Sequence, residues 1–335
     1  MPRVSRAQAT LRIADVWELG DWIRALDWGP DSDRVAAAGA GGEVAVVPVG
    51  GGPAQTVHEH AGGALAVAFS RTGRLASGGE DGRLVIAGRP HQLEGGWVEH
   101  VAWRPDGGLL AAARRREVSF WTAEGAHAAT ASPSPATVAC IAWHPRGVML
   151  AAGSYGGVRL LRAKDARETD RLDWVGSVLS LAFSPDGKRL AHGNQDASVH
   201  FWDLARKREL EMTGYPLKVR ELAWSPDGRW LATGGSEVIT VWDFAGRGPA
   251  GSRPRELVRH DGRIAALAFQ PGGRLLASIA DDGFVVLWAL EFDDRPLATA
   301  MLEDAATCLG WSPDGRRLAV GAADGTLAVL DTALD

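Results

Sequence analysis

Only two cysteines, Cys140 and Cys308, occur in 335 residues, too few for a disulfide framework. Each stands three residues before an aromatic of the repeat described below, on the innermost strand of its copy. Both are expected as buried free thiols, too far apart to bridge and compatible with a reducing cytoplasm. No apolar run approaches about 18 residues and no basic start leads into an apolar core, which disfavours a membrane span and a signal peptide. A formal net charge of -5 gives no reason to expect nucleic acid, which needs a broad basic face. The chain has no phosphate loop ending in Lys-Ser or Lys-Thr, no His-Glu-x-x-His, no Cys-x-x-Cys and no Gly-x-Ser-x-Gly elbow. The glycine-rich stretches Gly39–Gly42 and Gly50–Gly52 do not lead into a helix, so no helix dipole is available to hold a phosphate there. No stretch reads as a helix at all.

What the chain has instead is one phrase written eight times. Its fullest form is Leu181-Ala182-Phe183-Ser184-Pro185-Asp186-Gly187-Lys188-Arg189-Leu190-Ala191, followed by Val199-His200-Phe201-Trp202-Asp203. The anchor aromatics are Trp28, Phe69, Trp103, Trp143, Phe183, Trp224, Phe269 and Trp311, spaced 34 to 45 residues apart. After most anchors comes a Pro-Asp-Gly type corner, in which proline presets the first turn angle and glycine supplies the left-handed position. A small-residue strand such as Leu231-Ala232-Thr233-Gly234-Gly235 follows, then a β-rich strand such as Phe284-Val285-Val286-Leu287-Trp288. Alternation with period two and β-branched enrichment favour strands. A period near 40 with four short strands is the signature of a propeller blade.

On these residues the chain resembles the WD-repeat (WD40) family over nearly its whole length. The alanine-, glycine- and arginine-rich composition suggests a high-GC bacterial source. The resemblance implies an all-β fold, read here as an eight-bladed WD40-type β-propeller, with seven blades as the alternative if the first copy, with its divergent Asp31-Ser32-Asp33 corner, fails to complete a sheet. It also implies a structural tetrad of His, Ser or Thr, Asp and Trp. All four occur in the seventh copy as His260, Ser278, Asp282 and Trp288. The second copy carries His60, Ser77 and Asp81 without the Trp, and the fifth carries Asp196 and Trp202 with Trp174 where the His would stand. The last copy runs out too early for an outer strand, while Leu11–Trp17 are surplus at the start. We expect this N-terminal segment to complete the last blade and remove the open edge. The expected organisation is a flexible stretch 1–9 and a single propeller domain 10–335.

Candidate chemistry is sparse. His58-Glu59-His60 is the one metal-like cluster, but a stable site needs further ligands, and His60 already serves the tetrad; His58 and His60 are therefore the candidates of an alternative reading as a metal-dependent or enzymatic propeller. The run Arg114-Arg115-Arg116 reads as a solvated hairpin tip in preference to an anion site. In the resembled family the docking face is the mouth formed by the loops entering the innermost strands and by the turns between second and third strands. That rule places Trp22, Arg24, Trp97, Glu99, Lys218, Arg220 and Arg263 at the entries, Glu80, Tyr155, Gln195 and Asp281 on the turns, and Trp174 beside them. Exposed Trp and Arg are enriched at binding hot spots. The sequence thus points to a non-catalytic, cytoplasmic scaffold that binds protein partners, without cofactor, nucleic acid or membrane, as a monomeric propeller or a subunit of a complex. A further alternative is a peptide or small-ligand sensor whose aromatic mouth cages a cation.

Overall fold

The computed structural model describes residues 9–246 and 248–334, so positions 1–8 of the stretch expected to be flexible lie outside the described residues. The described residues form strands and turns and no helix. Each innermost strand ends on its anchor: Ile23–Trp28, Ala64–Phe69, His100–Trp103, Cys140–Trp143, Leu222–Trp224, Ile264–Phe269 and Ala306–Trp311, with Phe183 ending the long strand Glu168–Phe183. These strands stand side by side around one axis.

Counted as hydrogen-bonded sheets, the propeller has seven blades, six of four strands and one of six. The expectation of eight separate blades is corrected accordingly, and the reason differs from the one anticipated. The first copy forms a complete four-stranded sheet, Ile23–Trp28 to Gln55–Glu59. The fourth and fifth copies are the ones that merge. The strand Glu168–Phe183 runs unbroken from the outer edge of the fourth to the axis of the fifth, and Tyr155 pairs with Ser177 across it. Elsewhere this connection carries turn formers such as Gly62-Gly63, Pro216 or Asp261-Gly262. Here Leu172-Asp173-Trp174-Val175-Gly176-Ser177-Val178 contains no proline and keeps β-forming residues, so the chain stays extended. The six-stranded sheet folds back on itself at register shifts between Tyr155 and Gly157 and between Val178 and Ser180. Ala151, Val158, Leu160, Leu172, Val178 and Leu190 fill the fold.

The chain ends meet in one sheet. The strand Ala9–Glu18 pairs antiparallel with Thr326–Leu334, from Ala9 opposite Leu334 to Glu18 opposite Thr326, and forms the outer strand of the last sheet. The surplus N-terminal segment therefore does supply the missing outer strand, and the edge of Thr326–Leu334 is covered.

Apolar cores lie between successive copies rather than within one sheet. The second strands are buried on both faces, which is why they are rich in alanine: Ala36, Ala37 and Ala38, or Ala111, Ala112 and Ala113, are at most 1 % exposed. Small side chains let neighbouring sheets approach. Gly42 shows how tight the turns are, with φ of +104° and a Cβ there standing 2.2 Å from the carbonyl oxygens of both His60 and Gly62. Only glycine fits this position.

The anchors add a specific inter-sheet bond. The indole Nε1 of Trp103 donates to the carbonyl of Ala68 at 3.1 Å, Trp143 to Ala102 at 2.9 Å, Trp224 to Ala182 at 3.1 Å and Trp311 to Ala268 at 3.0 Å. Each acceptor is the residue just before the preceding anchor. At Phe69 the equivalent link is made differently: Asp27, standing where other copies have a small residue, accepts the Phe69 backbone N–H at 2.6 Å. Burial pushes the Asp27 carboxyl up to about 6, against the lowering effect of its hydrogen bonds from Phe69 and Trp28.

Candidate functional site

Four side-chain networks occupy the tetrad positions, three of them built on histidine. In the seventh copy His260 Nε2 lies 2.8 Å from Ser278 Oγ, its Nδ1 3.2 Å from Asp282, and Trp288 Nε1 donates to Ser278 Oγ at 2.9 Å. In the second copy His60 bridges Asp81 at 3.0 Å and Ser77 at 2.8 Å in the same way. The missing Trp position is Ala87, and the space is taken by His58 from the neighbouring outer strand, whose Nε2 lies 2.5 Å from Ser77 Oγ. His58 thus substitutes for the absent indole. Burial, and secondarily the charge of His60, push its pKa down to about 4.

The fifth copy rewires the pattern. Trp202 Nε1 donates to His192 Nε2 at 3.2 Å, His192 Nδ1 bonds Asn194 at 2.8 Å, and Asn194 connects through Ser198 to Asp196. His192 occupies the position of the usual Ser. In the sixth copy Tyr215 replaces the His: its hydroxyl lies 2.9 Å from Thr233 Oγ1 and accepts from Trp242 Nε1 at 2.8 Å. Sequence reasoning missed this network, although Tyr215 stands nine residues before its anchor, as His260 does.

The Asp-His-Ser order in the second and seventh copies has the connectivity of a nucleophilic triad. Ser77 and Ser278 are, however, wholly buried, so neither hydroxyl is open to a substrate. The imidazoles of His58 and His60 both meet one hydroxyl, so these rings build structure. Each hydrogen bond of this kind contributes about 1 kcal/mol, and a buried partner left unpaired costs about 1–3 kcal/mol.

The loops entering the innermost strands and the turns between second and third strands lie at one end of the ring. Turn amides donate to entry-loop carbonyls: Ala40 to Trp22 at 2.8 Å, Glu80 to Gly63 at 2.9 Å, Gln195 to Ser177 at 3.0 Å and Asp281 to Arg263 at 3.0 Å. This end carries the residues singled out from the sequence. Trp22, Trp97 and Tyr155 are 46 %, 51 % and 59 % exposed. Arg220, Arg263, Gln195 and Asp281 are also exposed, while Arg24, Glu80, Glu99 and Lys218 are half-buried.

Several of these groups engage one another. Arg24 bonds Glu80 at 3.2 Å and lies 5.8 Å from the Trp22 ring centroid, and Arg263 is 3.7 Å from Asp281. Burial raises the pKa of Glu99 and, on the entry segment of the sixth copy, of Glu221 beside Arg220. Trp174 is placed differently from its expected role at the mouth. It is half-buried, packs on His200 with ring centroids 3.7 Å apart and leaves its Nε1 without a partner. The residues beside it compensate: Val175 is 88 % exposed and Leu217 is 50 % exposed on the next entry loop. Sequence reasoning did not find these two, because an isolated Val or Leu in a β-rich chain carries no signal of exposure.

Comparison with known proteins follows the same outline. The family described as IFT122 first beta-propeller matches residues 22–288, and the WD domain, G-beta repeat matches residues 299–331. Nuclear distribution protein PAC1 of the fungus Tuber melanosporum is 38 % identical over 81 residues, 23 % of this chain and 16 % of that protein. Human WD repeat-containing protein 90 is 31 % identical over 85 residues, 24 % of this chain and 5 % of that protein. The chain thus matches only a small part of the curated relatives. These are fungal and human, and nothing in them supports the bacterial source expected from composition. Among solved structures, the computationally designed Ika8 protein superposes with a TM-score of 0.80 at 19 % identity, covering 96 % of this chain and 100 % of the designed one; that likeness bears on the fold alone.

Proposed function

Because the chain belongs to the IFT122 first beta-propeller family, we propose that it is a non-catalytic scaffold that docks protein partners on the end of the ring carrying Trp22, Trp97 and Tyr155. WD-repeat propellers are in general protein-interaction platforms, and the relatives indicate no catalytic function. The observation that carries the reading is the exposure, on one end, of Trp22, Trp97, Tyr155, Val175 and Leu217 among the charged Arg220, Arg263 and Asp281. Large apolar side chains set among exposed charge are the usual composition of an interface centre with a polar rim. The two unpaired thiols, Cys140 and Cys308, support placing the protein in a reducing compartment such as the cytoplasm.

The test is the triple variant Trp22→Ala, Trp97→Ala, Tyr155→Ala. We expect it to keep the wild-type melting curve, since none of the three side chains is buried, and to lose the partners captured by wild type from cells of its own source. Equal capture by a folded triple variant overturns the docking site.

A further inference from the structure

The third sheet carries a cavity that the scaffold reading does not use. It has a volume of about 480 Å³ and lies between the hairpin tip Arg114–Glu117 and the loop holding Glu94 and Gly95. That volume falls within the range of small-ligand pockets, about 300–1,000 Å³. Glu94, which lines it, stands at the tetrad histidine position of this copy and Ala112 at the serine position, so the tetrad network of the other copies is absent here.

The electrostatics of the cavity are set by three consecutive arginines. Arg114 pairs with Glu117 through Nη2, which leaves its Nη1 buried and without any hydrogen-bond partner. The Nη1 is covered by the neighbouring loop, since a Cβ on Gly95 would stand 3.5 Å from it. Arg115 donates from Nη1 to the carbonyl of Gly95 at 3.0 Å, and Arg116 donates from Nε to the carbonyl of Ser134. Neither Arg115 nor Arg116 forms an ion pair among the described residues, although both are exposed. Their backbones are held too: the Arg115 carbonyl accepts from Val138 at 2.6 Å and the Arg116 carbonyl from Ser134 at 2.7 Å. The tip is therefore a fixed fork of guanidinium groups, with two acids, Glu94 and Glu117, set against three cations. An oxyanion is the ligand whose geometry a set of guanidinium forks matches.

We propose that this cavity binds an oxyanion of the phosphate class, held by the free guanidinium donors of Arg115 and Arg116 beside the Arg114–Glu117 pair. The group is supplied either as free phosphate or as a phosphate monoester on a larger molecule. The cavity, about 480 Å³, is several times larger than one phosphate group and has room for the body of a monoester beside it, whereas the chain's net charge of -5 gives no field for an extended polyanion.

The experiment is calorimetric titration of the full chain with inorganic phosphate and, separately, with phenyl phosphate, in chloride buffer at fixed ionic strength. The double variant Arg115→Ala, Arg116→Ala is expected to raise the dissociation constant at least tenfold, and Glu94→Gln, which removes the unpaired acid at the cavity, to lower it severalfold. Tighter binding of phenyl phosphate than of phosphate identifies the monoester as the source, and the reverse identifies the free ion. Because Glu94→Gln alters an exposed side chain, it reads the site even if the double variant does not fold. No binding by wild type, or binding that none of these substitutions alters, overturns the proposal and leaves the docking reading untouched.

Discussion

The indole of Trp28 donates a 2.9 Å hydrogen bond to the carbonyl of Gly310, tying the first innermost strand to the last. It is the same bond that Trp103, Trp143, Trp224 and Trp311 make to the strand before them, used here to close the circle. Phenylalanine already serves as anchor at Phe69, Phe183 and Phe269, so Trp28→Phe keeps the packing and deletes only the donor. We expect it to cost about 1–3 kcal/mol, read as a lower urea midpoint with an unchanged m-value. An unchanged midpoint would show that the bond contributes nothing.

The networks of the second and seventh copies should lose a similar amount when their central hydroxyl is removed. Ser278→Ala leaves His260 Nε2 and Trp288 Nε1 unpaired in a buried site, and Ser77→Ala does the same to His60 and His58. Each substitution should destabilise by about 2–4 kcal/mol, two unpaired groups at 1–3 kcal/mol each with partial relaxation. His58→Trp, which would restore an indole to the second copy, should not rescue stability, because residue 58 reaches the hydroxyl from the neighbouring sheet rather than from position 87. Chemical denaturation of the three variants checks this: equal losses of that size for the two serine variants are expected, and no loss for either would contradict it.

Acid should weaken the fold through its histidines. Burial holds His58, His100 and His192 at about 4, against 6.5 for the free side chain. As the pH falls from 6.5 toward 4 the unfolded chain takes up protons that the folded chain refuses, so stability falls across that window. Asp27 works in the opposite sense. Its carboxyl, raised from 3.8 to about 6, contributes stability that is fully present below 3.8 and is lost as the pH rises through 6. Three histidines outweigh one carboxyl, and Asp27→Asn should steepen the loss between pH 6 and 4. Melting temperatures measured at intervals over that range would contradict this if they were flat, or if the variant's curve were shallower.

Burial pushes the thiols of Cys140 and Cys308 up to about 12, so at pH 8 almost no thiolate is present in the native protein. A disulfide reagent should label neither residue on the timescale on which it labels both in denaturant. Rapid labelling of the native protein would show that the innermost strands open readily.

The anchors and corners were legible because a propeller repeats its local chemistry: an aromatic, a Pro-Asp-Gly corner and an alanine-rich strand recur wherever two sheets must approach. The docking of Ala9–Glu18 onto the last sheet was legible from simple deficit and surplus at the two ends. The merger of the fourth and fifth copies was not, since it depends on what Trp174-Val175-Gly176 fails to do, which is to turn. Nor was the role of His58 visible, because it completes a network belonging to another copy, and sequence distance hides which side chain fills a hole left by Ala87. The arginine run at 114–116 looked like an ordinary hairpin tip. Its difference lies in the cavity it shares with the neighbouring Glu94, a position whose meaning appears only when the tetrad of the other copies is laid over it.

A ring that holds its loops in one fixed end must be shut by the strand Ala9–Glu18. Amide hydrogen exchange of the native protein, followed residue by residue, measures this closure. If the ends share one cooperative sheet, the amides of Ala9–Glu18 that pair with Thr326–Leu334 exchange only through the same opening as those of Arg317–Ala322. Exchange of the N-terminal strand at the rate of unstructured chain, with Arg317–Ala322 still protected, would contradict the closed ring on which the docking surface rests.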